Sequence, residues 1–171
     1  MSNKSVFNTT NDNIGWAFKT WNIITGCYHD CDGCYARDIA NRFYNEGFKP
    51  TFRPERLSAP MNTPIPKDDN PASRRVFTGS MGDQWGEWVP ADQIQQILDA
   101  CSDAPQWTFL FLTQNPKRYL EFDFPGNCWL GITCNTQVKM NAAVKIIKKL
   151  RSKGIKNVIF MSCEPLDEPV R

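Results

Sequence analysis

Short apolar runs recur along the chain and predict five β-strands. The clearest run, residues 107–113, is nearly continuous, and residues Cys128–Thr133 form a similar but weaker run. Continuous runs of this kind are typical of strands that are covered on both faces. Residues 16–25, Arg75–Thr78 and residues 157–162 complete the predicted set of strands.

Apolar residues at helical spacing lie between these strands and predict helices. The first helix covers residues 35–47, the second begins near Pro90, and the third covers residues 138–153. The predicted buried faces are Ala36, Ile39, Ala40 and Phe43, then Ile94, Ile97, Leu98 and Cys101, then Ala143, Ile146, Ile147 and Leu150. The lysines on the opposite side of the third helix indicate a solvated surface, and no neighbouring aromatic residues support a phosphate-binding role for them.

The alternation of strands and helices predicts an α/β fold with parallel strands and right-handed crossovers. A single domain is expected over residues 1–171, with a polar N-terminal tail at residues 1–14. Residues 48–74 are proline-rich and predict an irregular excursion with one short helical turn at residues 53–59. Because ligands bind at the carboxyl ends of parallel strands, the segments after the strands should converge on one rim. These segments are residues 27–34, 79–83, 113–115, 133–137 and 162–165.

The composition of the chain indicates its cellular compartment and the kind of chemistry to expect. Twenty basic and eighteen acidic residues give a net charge of +2, which is no signature of a nucleic-acid-binding or membrane-binding surface. The N-terminus lacks the apolar core of a signal peptide, and no apolar run is long enough to cross a bilayer. Seven cysteines, an odd number, argue against a disulfide framework and indicate a reducing cytoplasm. Clustered cysteines in that compartment usually serve metal or redox chemistry.

Three cysteines, Cys27, Cys31 and Cys34, form such a cluster with the spacing Cys-x3-Cys-x2-Cys. Thiolates are the soft ligands that iron–sulfur clusters require. Three thiolates from one loop can hold three irons of a [4Fe–4S] cluster and leave the fourth iron open for chemistry. The main alternative is zinc, bound by the same cysteines and His29. Three buried, inert thiols are a further alternative, which the polar character of residues 28–33 disfavours.

The other four cysteines are predicted to pack in the core. Cys101 completes the apolar face of the second helix, as a small hydrophobic residue does. Cys128, Cys134 and Cys163 lie in or just beyond predicted strands. One of these three could supply a fourth ligand, but none has a second cysteine at chelating spacing.

The turn after the second strand, residues 79–83, is another candidate site because its glycines let a ligand approach the backbone. An ordinary strand-to-helix turn is the alternative. Trp85 and Trp88 form either a substrate wall or a packed loop lid. The remaining candidates either bind a ligand or, alternatively, cap helices or face solvent. They are Thr113, Asn115, Thr133, Asn135, Gln137 and Glu164.

Taken together, these motifs resemble a known family. The three cysteines, followed directly by Tyr35, are similar to the signature of the radical S-adenosylmethionine (SAM) enzymes. The wider pattern more closely resembles a phage-derived family of uncharacterised radical-SAM-like proteins. The resemblance extends over nearly all of the chain, and the stretches that carry it are residues 21–22, 25–27, 34–36, 76–83, 108–113, 115–116, 129–133 and 162–166.

The resemblance implies a partial, TIM-like (β/α)6 barrel and two cofactors, a [4Fe–4S] cluster and SAM. Cys27, Cys31 and Cys34 would ligate the cluster, and the amino and carboxylate groups of SAM would chelate its open iron. An electron donor would reduce the cluster, and cleavage of SAM would give a 5′-deoxyadenosyl radical that abstracts hydrogen from an unknown substrate. Gly79, Ser80 and Met81 match the place where such enzymes hold the methionyl ammonium. Asp83, Thr133, Asn135 and Glu164 complete the implied cofactor-binding set.

Three features depart from the family pattern. Relatives often have a longer gap between the first two cysteines, and Asn135 stands where an acidic residue is common. The chain ends at Arg171, just after the fifth strand. The last part of a six-strand barrel is therefore expected to be missing, with the fifth strand as an open edge that another chain could complete. The alternative function is a non-catalytic phage protein, metal-binding or associated with nucleic acid, whose cysteine loop holds zinc or a structural cluster.

Overall fold

Across residues 5–10, 15–164 and 169, which the computed structural model describes, the chain forms a six-stranded, mostly parallel β-sheet flanked by helices. The strands are β1 (Asn8–Thr9), β2 (Lys19–Trp21), β3 (Ile24–Thr25), β4 (Thr51–Phe52), β5 (Arg75–Thr78), β6 (Thr108–Thr113), β7 (Cys128–Thr133) and β8 (Ile159–Ser162). The α-helices are α1 (Tyr35–Phe43), α2 (Ala59–Asn62), α3 (Ala91–Ser102) and α4 (Gln137–Ser152). Short 3₁₀ helices lie at Pro54–Arg56, Pro71–Arg74 and Pro116–Glu121.

The large sheet has the strand order β1-β2-β5-β6-β7-β8. Strands β2, β5, β6, β7 and β8 run parallel, whereas β1 joins the edge antiparallel to β2. Strands β3 and β4 form a separate antiparallel pair. The predicted α/β fold built on parallel strands is therefore confirmed.

The main hydrophobic core contains one face of this sheet together with helices α3 and α4. The strand register places Val76, Phe109 and Cys128 side by side, and all three are fully buried. The predicted buried faces of both helices are confirmed, except that Ile147 is only half-buried. Their buried residues are Ile94, Ile97, Leu98 and Cys101 in α3, and Ala143, Ile146 and Leu150 in α4.

The first predicted strand, residues 16–25, is divided between two sheets. Strand β2 pairs with β5, whereas β3 pairs with β4. The division falls at Asn22, whose side-chain oxygen accepts hydrogen bonds from Ser80 Oγ at 3.1 Å and from Met81 N at 3.0 Å. Because these bonds hold Asn22 to the turn after β5, the chain leaves the large sheet there. The prediction of one continuous strand is wrong.

The proline-rich excursion, residues 48–74, contains more regular structure than predicted. The 3₁₀ helix at Pro54–Arg56 confirms the helical turn expected at residues 53–59. Strand β4, helix α2 and the 3₁₀ helix at Pro71–Arg74 are additional. Each of the three helical segments carries a proline in its first two positions, where the missing N–H leaves no helical bond unmade.

Helix α1 is shorter than predicted and buries fewer residues. It ends before the predicted glycine stop, and its buried residues are Ala36 and Ala40. The side chains of Ile39 and Phe43 are 41% and 69% exposed, so their predicted burial is wrong. The helix packs through its two alanines against Met81, in the turn after β5, rather than against the main core. Small side chains allow this close approach.

The predicted polar tail, residues 1–14, belongs to the fold where it is described. It supplies strand β1, and its Phe7 is only 6% exposed. The ring of Phe7 packs edge-on at centroid distances of 5.9, 5.1 and 6.3 Å against Trp21, Trp107 and Phe109. One aromatic side chain thus anchors the described part of this tail in the core.

Strand β8 forms an edge of the sheet, since within the described part of the chain it pairs with β7 alone. The open edge predicted for the fifth strand is thus present, and the sheet is not closed into a barrel by the residues described. No helix among these residues is long and apolar enough to cross a membrane. Pro165, residues 1–4 and residues 11–14, which earlier predictions cover, lie outside the described residues.

Replacing Phe7 by alanine should lower the free energy of unfolding by about 3 to 5 kcal/mol, because a cavity forms among three aromatic rings. Urea unfolding followed by tryptophan fluorescence measures this change. Phe43→Ala is the matched control, and it should change the free energy by less than about 0.5 kcal/mol because that ring is exposed. Equal effects of the two substitutions would contradict the burial of Phe7.

Candidate functional site

The segments after the parallel strands enclose a cavity of about 200 Å³ at the carboxyl edge of the sheet. Thr113 and Thr133 contribute to its wall from the ends of β6 and β7. The turn after β5 contributes Gly79, Ser80 and Asp83, and the cysteine loop contributes Cys27, Cys31 and Cys34. Four of the five segments predicted to converge on one rim line this cavity, residues 27–34, 79–83, 113–115 and 133–137. Residues 162–164, the described part of the segment after β8, do not line the cavity, and Glu164 is exposed.

Two glycines bring the cysteine loop against the turn after β5. Gly26 forms a parallel β-bridge with Gly82, and its N–H donates to the Met81 carbonyl at 2.8 Å. A Cβ atom on Gly82 would clash with the Gly26 carbonyl, and a Cβ atom on Gly26 would clash with the Lys49 carbonyl. Gly26 also has a φ of +87°, which favours glycine. This backbone contact fixes where the cysteine loop begins.

All three cysteines of the loop are free, half-buried thiols. Burial raises the pKa of Cys27 to about 11 and also raises the pKa of Cys31. Both thiols are therefore neutral near pH 7 in the metal-free protein. A metal that binds them must displace their protons. Cys34 is the N-cap residue of α1, so the loop continues directly into that helix.

The described residues contain no preformed site for a single metal ion. Among the described residues, no three histidine, cysteine, aspartate or glutamate side chains converge as ligands of one metal ion. A tetrahedral zinc site needs all its ligands within about 2.0 to 2.3 Å of one atom, so the loop would have to rearrange to form it. In a [4Fe–4S] cluster each thiolate would bind a different iron, and Cys27, Cys31 and Cys34 all line the same cavity.

Asp83 is the residue that connects the loops of the site. Its side chain is buried, and its Oδ2 atom accepts hydrogen bonds from Thr113 Oγ1 at 2.8 Å and from Gln114 N at 3.0 Å. The same oxygen lies 2.8 Å from His29 Nε2. The other oxygen, Oδ1, accepts a hydrogen bond from Trp85 N at 2.9 Å. These four contacts occupy the carboxylate, so Asp83 positions the cysteine loop and the segment after β6.

His29 lies at the margin of the cavity, with its side chain 22% exposed. Its ring packs edge-on against Trp88 at 4.8 Å between centroids. Because the Asp83 carboxylate is an acceptor, Nε2 is the protonated ring nitrogen. Histidines that bind metals through one nitrogen commonly donate the other N–H to a carboxylate in this way. This contact is the structural feature that keeps the zinc alternative open.

The residues of the turn after β5 face two different surroundings. Gly79 and Ser80 line the cavity, whereas the Met81 side chain packs against α1. The Ser80 carbonyl already accepts a hydrogen bond from Tyr35 Oη at 2.7 Å, and the Gly79 carbonyl accepts one from Gly82 N at 3.2 Å. A bound ammonium group would use the second lone pair of these oxygens.

The side chains of Gln114 and Lys139 were not singled out by the sequence. Lys139 Nζ lies 2.7 Å from both Gln114 Oε1 and Asn135 Oδ1, and Gln114 Nε2 lies 2.9 Å from Cys31 Sγ. Asn135 is buried and is not in the cavity wall. Gln114 lies within residues 113–115, a segment predicted to reach the rim. This position was the feature of the sequence from which a role for Gln114 in the site could have been inferred.

Burial settles the alternatives left by the sequence for Trp85 and for three of the other cysteines. Trp85 is fully buried and packs among the rings of Phe111, Tyr119, Phe122 and Phe124, so it is a packed core residue and not a substrate wall. The predicted core positions of Cys101, Cys128 and Cys134 are confirmed. Cys163 is half-buried and packs against the core. Thr136, which lay outside the named candidates, caps α4 by accepting from Lys139 N at 3.2 Å.

Residues 11–171 match the family model described as "Protein of unknown function (DUF5131)". The chain belongs to the DUF5131 family. The match includes the cysteine loop, the turn after β5 and every other segment of the cavity wall. Comparison with curated proteins and with solved structures gives no match.

In this DUF5131 protein, Gly82→Ala should lower the free energy of unfolding by about 1 to 3 kcal/mol, because the added Cβ pushes the turn away from Gly26. Chemical denaturation measures the loss. Gly126→Ala serves as the control, since a Cβ there meets no atom within 4 Å and little change is expected. If both variants were as stable as the wild type, the close contact between loop and turn would be refuted.

Proposed function

We propose that this DUF5131 protein is a radical-SAM-type iron–sulfur protein that acts on an unidentified substrate. The observation that carries the proposal is the common position of three free thiols and the Gly-Ser turn in the wall of one cavity. We further propose that the parallel sheet is part of a TIM-like (β/α) barrel, of which β8 is the open edge. A partner chain that completes the sheet belongs to this proposal.

The residues of the chain have separate roles in this proposal. Cys27, Cys31 and Cys34 hold a [4Fe–4S] cluster and leave one iron without a protein ligand. The cluster, when bound, would supply the electron for reductive cleavage of SAM. An external electron donor must first give that electron to the cluster. The Gly79 and Ser80 backbone lies beside the cysteine loop, where it would bind the polar groups of SAM. Thr133 lines the same wall, at the end of β7.

The interior side of the cavity is apolar. Phe77 on β5 and Leu112 on β6 lie in its wall, together with Phe48. An apolar wall excludes water from a reactive intermediate and favours reaction with a bound substrate. The cavity, at about 200 Å³, is smaller than the roughly 300 Å³ at which pockets for drug-sized ligands begin. A ligand of the size of SAM would therefore not be held by this cavity alone.

The compartment proposed for this chemistry is the cytoplasm. All seven cysteines are in the reduced form in the structure. Free thiols and a cluster with an open iron both suit a reducing compartment. The charge balance of the chain does not favour a nucleic-acid partner, and the substrate remains open in this proposal.

A zinc-binding protein without catalytic activity is the second candidate. The contact between His29 Nε2 and Asp83 Oδ2 favours it, because the free Nδ1 atom could join the three cysteines as a fourth ligand. Such a Cys3His site would be closed and structural. The two candidates differ in the metal bound and in the effect of removing His29.

Anaerobic reconstitution with iron and sulfide tests the proposal. The expected product is a brown protein with about four irons and four sulfides per chain, and Cys31→Ala should lose most of both. Cys163→Ala is the control and should retain the cluster. The reduced protein given SAM should then release 5′-deoxyadenosine, measured by chromatography.

Three results would contradict the proposal in different ways. A colourless protein with one zinc per chain, lost in His29→Ala, would support the zinc site instead. A stable cluster that never cleaves SAM would refute the radical-SAM activity, and loss of the cluster in Cys163→Ala would indicate a closed four-cysteine site.

A further inference from the structure

A chain of hydrogen bonds leads from α4 to the sulfur of Cys31. Lys139 Nζ donates to Gln114 Oε1 at 2.7 Å, and Gln114 Nε2 donates to Cys31 Sγ at 2.9 Å. Lys139 also donates to Asn135 Oδ1 at 2.7 Å. The three linked groups come from the loop after β6, the first turn of α4 and the cysteine loop, so the contact depends on the folded arrangement of the rim.

The direction of the Gln114 amide follows from its neighbours. An ammonium group can only donate hydrogen bonds, so the atom facing Lys139 must be the amide oxygen. The NH2 group then faces Cys31 and acts as a donor to sulfur. The backbone N–H of Gln114 is held at 3.0 Å by the buried Asp83 carboxylate, which limits movement of the residue.

We propose that Gln114, polarised by Lys139, raises the reduction potential of a cluster bound at Cys27, Cys31 and Cys34. This inference rests on the proposed function and adds a control of the electron transfer at the same site. One-electron reduction places additional negative charge on the cluster and its sulfur ligands. An N–H donor and a nearby cation stabilise the reduced form more than the oxidised form, which raises the potential.

Other charges near Cys31 do not replace this contact. Arg37 Nη2 lies 3.2 Å from the Cys31 carbonyl oxygen, not from its sulfur, and it is paired with Asp30 at 2.8 Å. The remaining lysines of α4 that the sequence placed on the solvated face are exposed, including Lys145. In the described structure, the Gln114 side chain thus directs its N–H at the sulfur of Cys31 in the cavity wall.

The test is a redox titration of the reconstituted protein with dithionite as the one-electron donor, followed by electron paramagnetic resonance. At the wild-type midpoint, Gln114→Leu should raise the ratio of oxidised to reduced cluster at least tenfold, equivalent to a shift of about 59 mV to more negative potential. Gln114→Glu preserves the shape and the lysine partner but removes the N–H, and it should shift the potential in the same direction.

Lys139→Met should also lower the potential, because it removes both the cation and the polarisation of the amide. Lys145→Met on the exposed side of the same helix is the matched control and should leave the potential unchanged. Since Lys139 acts partly through Gln114, the double variant should shift the potential by less than the sum of the single shifts.

A second measurement detects the hydrogen bond without any cluster. In the metal-free protein, the side-chain amide resonances of Gln114 should move in Cys31→Ala and stay in place in Cys163→Ala. Unmoved resonances in Cys31→Ala would overturn the contact, and clusters with unchanged potential in both Gln114 variants would overturn its effect. A wild-type protein that assembles no cluster would instead contradict the proposed function, so the two failures are distinguishable.

Discussion

The buried carboxylate of Asp83 is the contact on which the arrangement of the rim depends. It accepts hydrogen bonds from Thr113 and Gln114 at the end of β6 and from the backbone N–H of Trp85. It also contacts His29 of the cysteine loop. Hydrogen bonds to a charged group contribute about 1.5 to 3 kcal/mol each, and a buried carboxylate that lost them would be costly. Three separate segments are therefore held in one geometry by a single side chain.

Around this carboxylate, the backbone itself completes the site. The bridge between Gly26 and Gly82 joins the cysteine loop to the turn after β5, and Asn22 holds the same turn from the end of β2. The alanines of α1 pack on the other side of the turn, against Met81. The thiols thus lie on a loop fixed at both ends, which is the rigidity that a metal site requires.

Much of this architecture follows from the sequence, because buried strands and amphipathic helices have distinct periods. Strands β6 and β7 and the inner faces of α3 and α4 were predictable, and the rule for parallel sheets located the rim. The roles of Asn22 and Phe7 were not predictable. Asn22 ends strand β2 and Phe7 anchors the N-terminal segment, and both act through contacts with residues distant in the chain. For the same reason, the link from Lys139 through Gln114 to Cys31 is visible only in three dimensions.

The proposed cluster, held by three cysteines with one iron open to SAM, can be observed iron by iron. Mössbauer spectroscopy of the iron-loaded protein, recorded with and without SAM, tests it most directly. One iron site in four should change its spectrum when SAM is added, while the three cysteine-bound irons keep theirs. A cluster whose four irons are all unaffected by SAM would contradict the claim, as would a protein that retains no iron.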